Sequence, residues 1–211
     1  MPYDFKKEEK EIYGVKKAAK VLTLPSLNYM AIFGEGNPNE ENGDYQKTIQ
    51  TLYPLAYTLR MSYKTDYKIK GFFEYVVPPL EGLWWQKDIK GYDPSQKNKF
   101  QWISMIRLPN FIQKSDLNWA IKKVEEKKDL DASHVNFYSL SEGLCAQITH
   151  IGPFDEEFET VKKMQEFLDK NGYITDLNDK RHHHEIYLSD PRKTSPEKLK
   201  TIIRHPIKKL Q

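Results

Sequence analysis

Apolar positions along this chain recur in two rhythms, one of period two and one near 3.6, and their order predicts most of the secondary structure. Residues 27–34, Leu-Asn-Tyr-Met-Ala-Ile-Phe-Gly, alternate well enough for a half-buried strand, and the run from Gly34 to Asn39 ends it with turn chemistry. Tyr45, Ile49, Leu52, Ala56, Leu59 and Tyr63 then fall at steps of four and three, one face of a helix that Asn42 or Asp44 can cap. Pro54 inside that stripe removes a backbone donor and predicts a kink or an early stop. Aromatic and β-branched residues over 70–77 predict a strand closed by Pro78-Pro79, and 100–107 predicts another. Between them, Trp84-Trp85, Gly91 and Pro94 read as a long loop or edge excursion. A helix beginning at Ser115 turns Leu117, Ile121 and Val124 inward, and its Glu/Lys run through Asp129 faces water.

The first order then returns. Residues 144–151 predict a strand ended by Gly152-Pro153, Phe154, Phe158, Val161, Gln165 and Leu168 a helical stripe, and 182–188 a second strand. A short final helix is expected from Ser195-Pro196, ending before His205-Pro206. Tyr29–Phe33, the first helix and Phe72–Val77 thus correspond to Cys145–His150, the later helix and His183–Leu188, with Glu74 over Glu185. This predicts an α+β fold: a pseudo-two-fold duplication of a strand-helix-strand-strand unit forming an antiparallel sheet, with helices on one face and a central ligand cleft. Residues 1–20 read as an N-terminal arm. The domain covers 21–211, with pseudo-repeats at about 21–110 and 134–191 and a C-terminal tail.

Composition narrows the function. Apolar residues make up only 38% of the 211 positions but aromatics 13%, so large rings with polar tips carry the burial and are available to a ligand. The net charge of +3 is spread among mixed Lys/Glu runs, with no basic stripe or helix-turn-helix, so direct nucleic-acid binding is not expected. The single cysteine, Cys145, cannot form an intramolecular disulfide, and in its apolar strand it reads as an inert thiol. With no signal-like start and no apolar run near membrane-spanning length, the expectation is a soluble cytoplasmic protein.

The candidate chemistry centres on Glu185. Strand alternation puts His183, Glu185 and Tyr187 on one face, and a carboxylate projecting from mid-sheet is costly unless paired, solvated in a cleft or protonated. Glu74 is its counterpart in the first half. Trp84, Trp85 and Trp102 are candidate stacking walls, and Phe33 and His150 join them as candidate ligand contacts. Of the histidines at 182–184, only His182 and His184 share a face and no further ligand is evident, so no metal is expected. No glycine-rich phosphate loop follows a strand, and no cofactor is implied.

These residues resemble a known family. Ile148-Thr149-His150-Ile151-Gly152-Pro153-Phe154 before a helix, followed by His184-Glu185-Ile186-Tyr187-Leu188-Ser189-Asp190-Pro191, looks like the C-terminal half of GyrI-like domains. Pro78-Pro79-Leu80-Glu81-Gly82-Leu83-Trp84-Trp85 and Thr201-Ile202-Ile203-Arg204-His205-Pro206 resemble its stand-alone branch, which includes hydrolases of cyclopropanoid, yatakemycin-type alkylators. The resemblance implies a cleft for flat, aromatic, often cationic molecules, with aromatic walls and a buried glutamate. Three functions follow from it: a hydrolase opening a spirocyclopropane ring with Glu185 as base and Tyr187 or His183 orienting water, a module that sequesters such compounds, and a gyrase-modulating interaction protein.

Overall fold

The computed structural model describes residues 1–89, 91–93, 95–128 and 130–210, so Pro94 and Asp129 of the patterns above lie outside the described residues. Its centre is an antiparallel sheet of β1 (Lys20–Glu35), β2 (Leu80–Gln86), β3 (Phe100–Arg107), β4 (Asn136–Ile151), β6 (His183–Tyr187) and β7 (Lys200–Lys209), with the short β5 (Tyr173–Thr175) added on β7. The order β4-β1-β3-β2-β6-β7 closes through a β4–β7 pairing into a barrel. β1 pairs with β4 and β2 with β6, while β3 bridges β1 to β2 and β7 bridges β4 to β6. Exchanging the two halves therefore leaves this pattern of pairings unchanged.

Alternation assigns two faces to every strand. Met30, Ile32 and Ile106 point outward under α3 (Asp44–Arg60), whose Leu52, Leu55, Ala56 and Leu59 are buried on them and against Leu117, Ala120 and Val124 of α4 (Lys114–Lys128). On the other side Ala146, Ile148 and Ile203 pack beneath Met164 and Leu168 of α5 (Glu157–Lys170). The stripes of α3 and α4 thus do what their spacing predicts, and α3 runs through Pro54 to Arg60 instead of stopping there. On α5 the buried face is Thr160, Met164 and Leu168; of the expected stripe only Leu168 is fully buried, and Phe154 and Phe158 are exposed. Inward, Leu27, Tyr29, Ala31, Leu83, Ile103 and Met105 fill the barrel.

Four expectations are overturned. Residues 1–20 are no arm: α1 (Phe5–Glu8) and α2 (Lys10–Tyr13) dock on one end of the barrel, burying Phe5 and Tyr13, with Glu9 on Arg107 at 2.6 Å. Residues 70–77 form no strand beyond one bridge between Tyr75 and Tyr3, because Phe72, Phe73 and Tyr75 turn their rings into an aromatic cluster with Tyr3, Phe5 and Phe111. The strand lies instead at Leu80–Gln86, in the segment expected to loop, where flanking prolines and a mid-run glutamate mask its alternation. The final helix is a single 3-10 turn at Pro196–Lys198. The rest is β7, buried from Thr201 to Ile207.

The barrel interior also holds charge. His184 has no exposure, and its two ring nitrogens lie 3.0 Å from Glu81 and 2.8 Å from Glu142. Arg204 closes on Glu142 at 2.6 Å and donates to Gln147, and Tyr13 donates to Glu81 at 3.0 Å. Burial alone would raise Glu142, but Arg204 and then His184 hold it down to about 2. Burial would lower His184, but the charge and hydrogen bond of Glu142 and the hydrogen bond to Glu81 leave it raised. Among the described residues no helix is long and apolar enough to cross a membrane.

Candidate active site

The outward faces of β2 and β6 meet along the seam between the halves, where Gly82 pairs with Glu185 and Trp84 with His183. Two glycines seat the aromatic wall there. A Cβ on Gly82 would lie 2.6 Å from Trp84 Nε1, and one on Gly34 2.5 Å from the Trp102 ring, so each indole lies flat against backbone that only glycine leaves free. Tyr45, from the first turn of α3, closes on Trp84 and Trp102 at ring distances of 5.0 and 5.4 Å. Trp84 Nε1 donates to the Tyr187 hydroxyl at 2.9 Å, and Phe154, just before α5, meets the Tyr187 ring edge-on at 5.8 Å.

Glu185 stands in this wall with its side chain 15% exposed. Its neighbours are His183, whose Nε2 lies 3.1 Å from Oε1, and Glu157 from the first turn of α5. Burial first, and then the negative charge of Glu185, push the Glu157 carboxyl up to about 10. Its Oε1 is buried with no hydrogen-bond partner among the described residues. At neutral pH Glu157 is therefore a carboxylic acid beside a carboxylate, the arrangement two acidic groups adopt when both cannot ionise together. Burial and the charge of Glu185 also raise the Tyr187 phenol far above its usual range, so it remains a proton donor. Its oxygen accepts from Trp84, and its hydroxyl pairs with that of Tyr45.

Ligand atoms of Glu157, His183 and Glu185 all lie within 4.8 Å of one another, a donor set of the kind a divalent cation takes. His182 and His184, which share a strand face, do not converge on this group: His184 is locked inside the barrel and His182 stacks on Trp85 at 4.0 Å.

The other candidates separate. Trp84, His183 and Tyr187 join Glu185, and Trp102 backs the wall. Trp85 and Phe33 do not join it, because both lie on the inward register of their strands: Trp85 bonds Gln101 and Phe33 packs edge-on against Tyr138 at the barrel rim. His150 is 4% exposed and bonds Thr160 and the Pro153 carbonyl, which ties the end of β4 to α5. Glu74 is exposed in the aromatic segment, where its carbonyl accepts from the Tyr3 amide. Glu157, Tyr45 and His205 went unseen. Glu157 sits one residue off the apolar stripe of its helix, and among the acidic residues at 155–159 nothing in the pattern distinguishes it.

The sequence from residue 18 to 208 matches the GyrI-like small-molecule-binding domain family. The fold and sequence are similar to those of a hydrolase from Listeria innocua, at 41% identity and a TM-score of 0.88, over 98% of this chain and all of that one. An uncharacterized conserved protein from Listeria innocua is 42% identical over the same shares, at a TM-score of 0.91. The EcmrR C-terminal domain shares the fold at 14% identity and a TM-score of 0.53, over 91% of this chain and 98% of its own. No curated protein matches the sequence significantly.

Proposed function

The chain belongs to the GyrI-like small-molecule-binding family, and we propose that within it the protein is a hydrolase that opens strained, electrophilic, flat aromatic molecules by adding water. Spirocyclopropane-dienone alkylators are the substrate class, and protection of DNA is the benefit. The observation that carries this reading is the acid–carboxylate pair of Glu157 and Glu185 set into an aromatic wall. A passive binder of flat molecules needs the wall; it does not need two carboxyls pressed together at a cost in stability. The similarity to a Listeria innocua hydrolase supports the same reading.

Trp84, Tyr45 and Phe154 hold the planar ligand over the β2–β6 seam. Glu185 takes a proton from a water that the Tyr187 hydroxyl and the protonated Glu157 orient. The water oxygen bonds to a cyclopropane methylene as the ring carbon–carbon bond breaks. The released electron pair passes into the dienone, which becomes a phenolate and then a phenol on taking up a proton. Aromatisation supplies the driving force, so the protein's work is positioning and removal of one proton.

The test is incubation of the protein with a spirocyclopropane alkylator, read by mass spectrometry. The expected result is a product heavier by one water, formed over many turnovers, with turnover lost in Glu185→Gln while binding remains. Tight binding without the water adduct would sink the hydrolase in favour of a sequestering module.

A further inference from the structure

The hydrogen bond at Glu185 continues away from the ligand. His183 Nε2 lies 3.1 Å from Glu185 Oε1, and on its other side His183 Nδ1 lies 2.7 Å from Nε2 of His205 on β7. His205 is 6% exposed, and its ring stands nearly edge-on to that of His183, at 67° and 4.9 Å. We propose that His205 is a positioning residue: it fixes the tautomer of His183, which then holds one oxygen of Glu185 and leaves the other as the base.

The protons over the two gaps fix the direction of the chain. A carboxylate has none to give, so the bond to Glu185 Oε1 uses the proton on His183 Nε2. A neutral His183 then has a bare Nδ1, and the short contact to His205 is a bond only if His205 brings its proton on Nε2. Two neutral imidazoles and one carboxylate satisfy this chain in a single arrangement, directed from β7 to Glu185. His205 is suited to it because burial keeps it uncharged. His184 faces into the barrel between two carboxylates and gives a proton to each, whereas His183 lies on the outward face opposite Trp84 and gives one proton to one carboxylate. A charged His183 would satisfy Glu185 too strongly and blunt it as a base. The relay through an uncharged His205 orients Glu185 without that loss, as an outer partner orients a catalytic histidine.

The base role rests on the proposed hydrolysis, but the tautomer can be read without substrate. In the ¹⁵N-labelled full chain at neutral pH, long-range ring spectra should show His183 with a protonated Nε2 and a bare Nδ1. In His205→Phe that preference should be lost; in His205→Gln, whose amide can donate in place of Nε2–H, it should persist. Toward a spirocyclopropane substrate, His205→Phe should lower kcat by roughly ten- to a hundred-fold with KM unchanged, and His205→Gln should restore most of it. Protonation of His183 at Nδ1 or at both nitrogens in the wild type would overturn the proposal, as would a tautomer indifferent to His205→Phe. A wild type that shows the expected tautomer but no turnover would instead overturn the hydrolase reading and leave the relay standing.

Discussion

Replacing Glu157 by glutamine should make the protein more stable and less active, and the size of the effect follows from one carboxyl. In the unfolded chain this group releases its proton near 4.5; in the folded protein it retains it up to about 10, through burial and the charge of Glu185. Between those values the folded state binds more protons than the unfolded one, so stability falls as pH rises through the window. At pH 7 the penalty has accumulated over about 2.5 units at ~1.4 kcal/mol each, or about 3 kcal/mol. Glutamine has the shape of the protonated acid and carries no proton to lose, so Glu157→Gln recovers up to that amount. For a chain of this length that is roughly 6–12 °C in Tm. The assay is thermal melting of both proteins from pH 4.5 to 9. The difference should be near zero at the acid end and widen steadily toward the alkaline end. A difference that stays flat with pH, or a variant that loses ground as pH rises, would refute a proton held on Glu157. Stabilisation with loss of turnover is the signature of a site strained for its chemistry.

Further outcomes check the geography of the site. Phe33→Ala and Trp85→Ala should leave the affinity for a flat aromatic ligand unchanged, because both side chains face the barrel rim, whereas Trp84→Ala should weaken it by roughly 1–3 kcal/mol in a fluorescence titration. Exhaustive chelation should change the ring-opening rate by less than about two-fold; loss of activity restored by a divalent metal would move Glu157, His183 and Glu185 from base and acid to ligands. Glu142→Gln should cost about 3–5 kcal/mol by urea denaturation, because it leaves the buried Arg204 and His184 without their counter-charge. Glu142 contributes its stability above about 4.5 and loses it as pH falls through about 2, so the variant should also flatten the acid limb of the stability profile.

What was legible in the sequence was what a single element expresses alone. The stripes of α3 and α4 and the alternation of His183–Tyr187 are local periodicities, and the latter placed Glu185 with His183 and Tyr187 on one face. The stripe expected on α5 failed, because β4 and β7 select the face of Thr160, Met164 and Leu168 and leave Phe158 exposed. Residues whose role depends on a distant partner were not legible. Phe72–Val77 carries a better strand composition than Leu80–Gln86, yet Tyr3, Phe5 and Phe111 draw its rings into a cluster, while Glu81 can lie inside the barrel only because His184 and Tyr13 meet it there. Glu74 was consequently matched to Glu185, when the residue opposite Glu185 is Gly82.

That glycine shows why the second carboxyl comes from a helix. A side chain at 82 would fall on the Trp84 indole and the Tyr187 hydroxyl, so β2 cannot present an acid across the seam without dismantling the aromatic wall. An acid can reach Glu185 from above the sheet, and the first turn of α5 is the element placed there, anchored by Thr160, Met164 and Leu168 on β4 and β7. Position on the first turn also sets a limit on the proton. A helix N-terminus favours an ionised carboxylate, yet Glu157 stays protonated, so burial and Glu185 outweigh that attraction. The balance is one a ligand can tip: a flat cation seated on Trp84 would favour ionisation of Glu157, whereas a neutral dienone would leave the proton in place for the water that Glu185 activates. Binding of cations should therefore release a proton to solvent, and binding of neutral substrates should not.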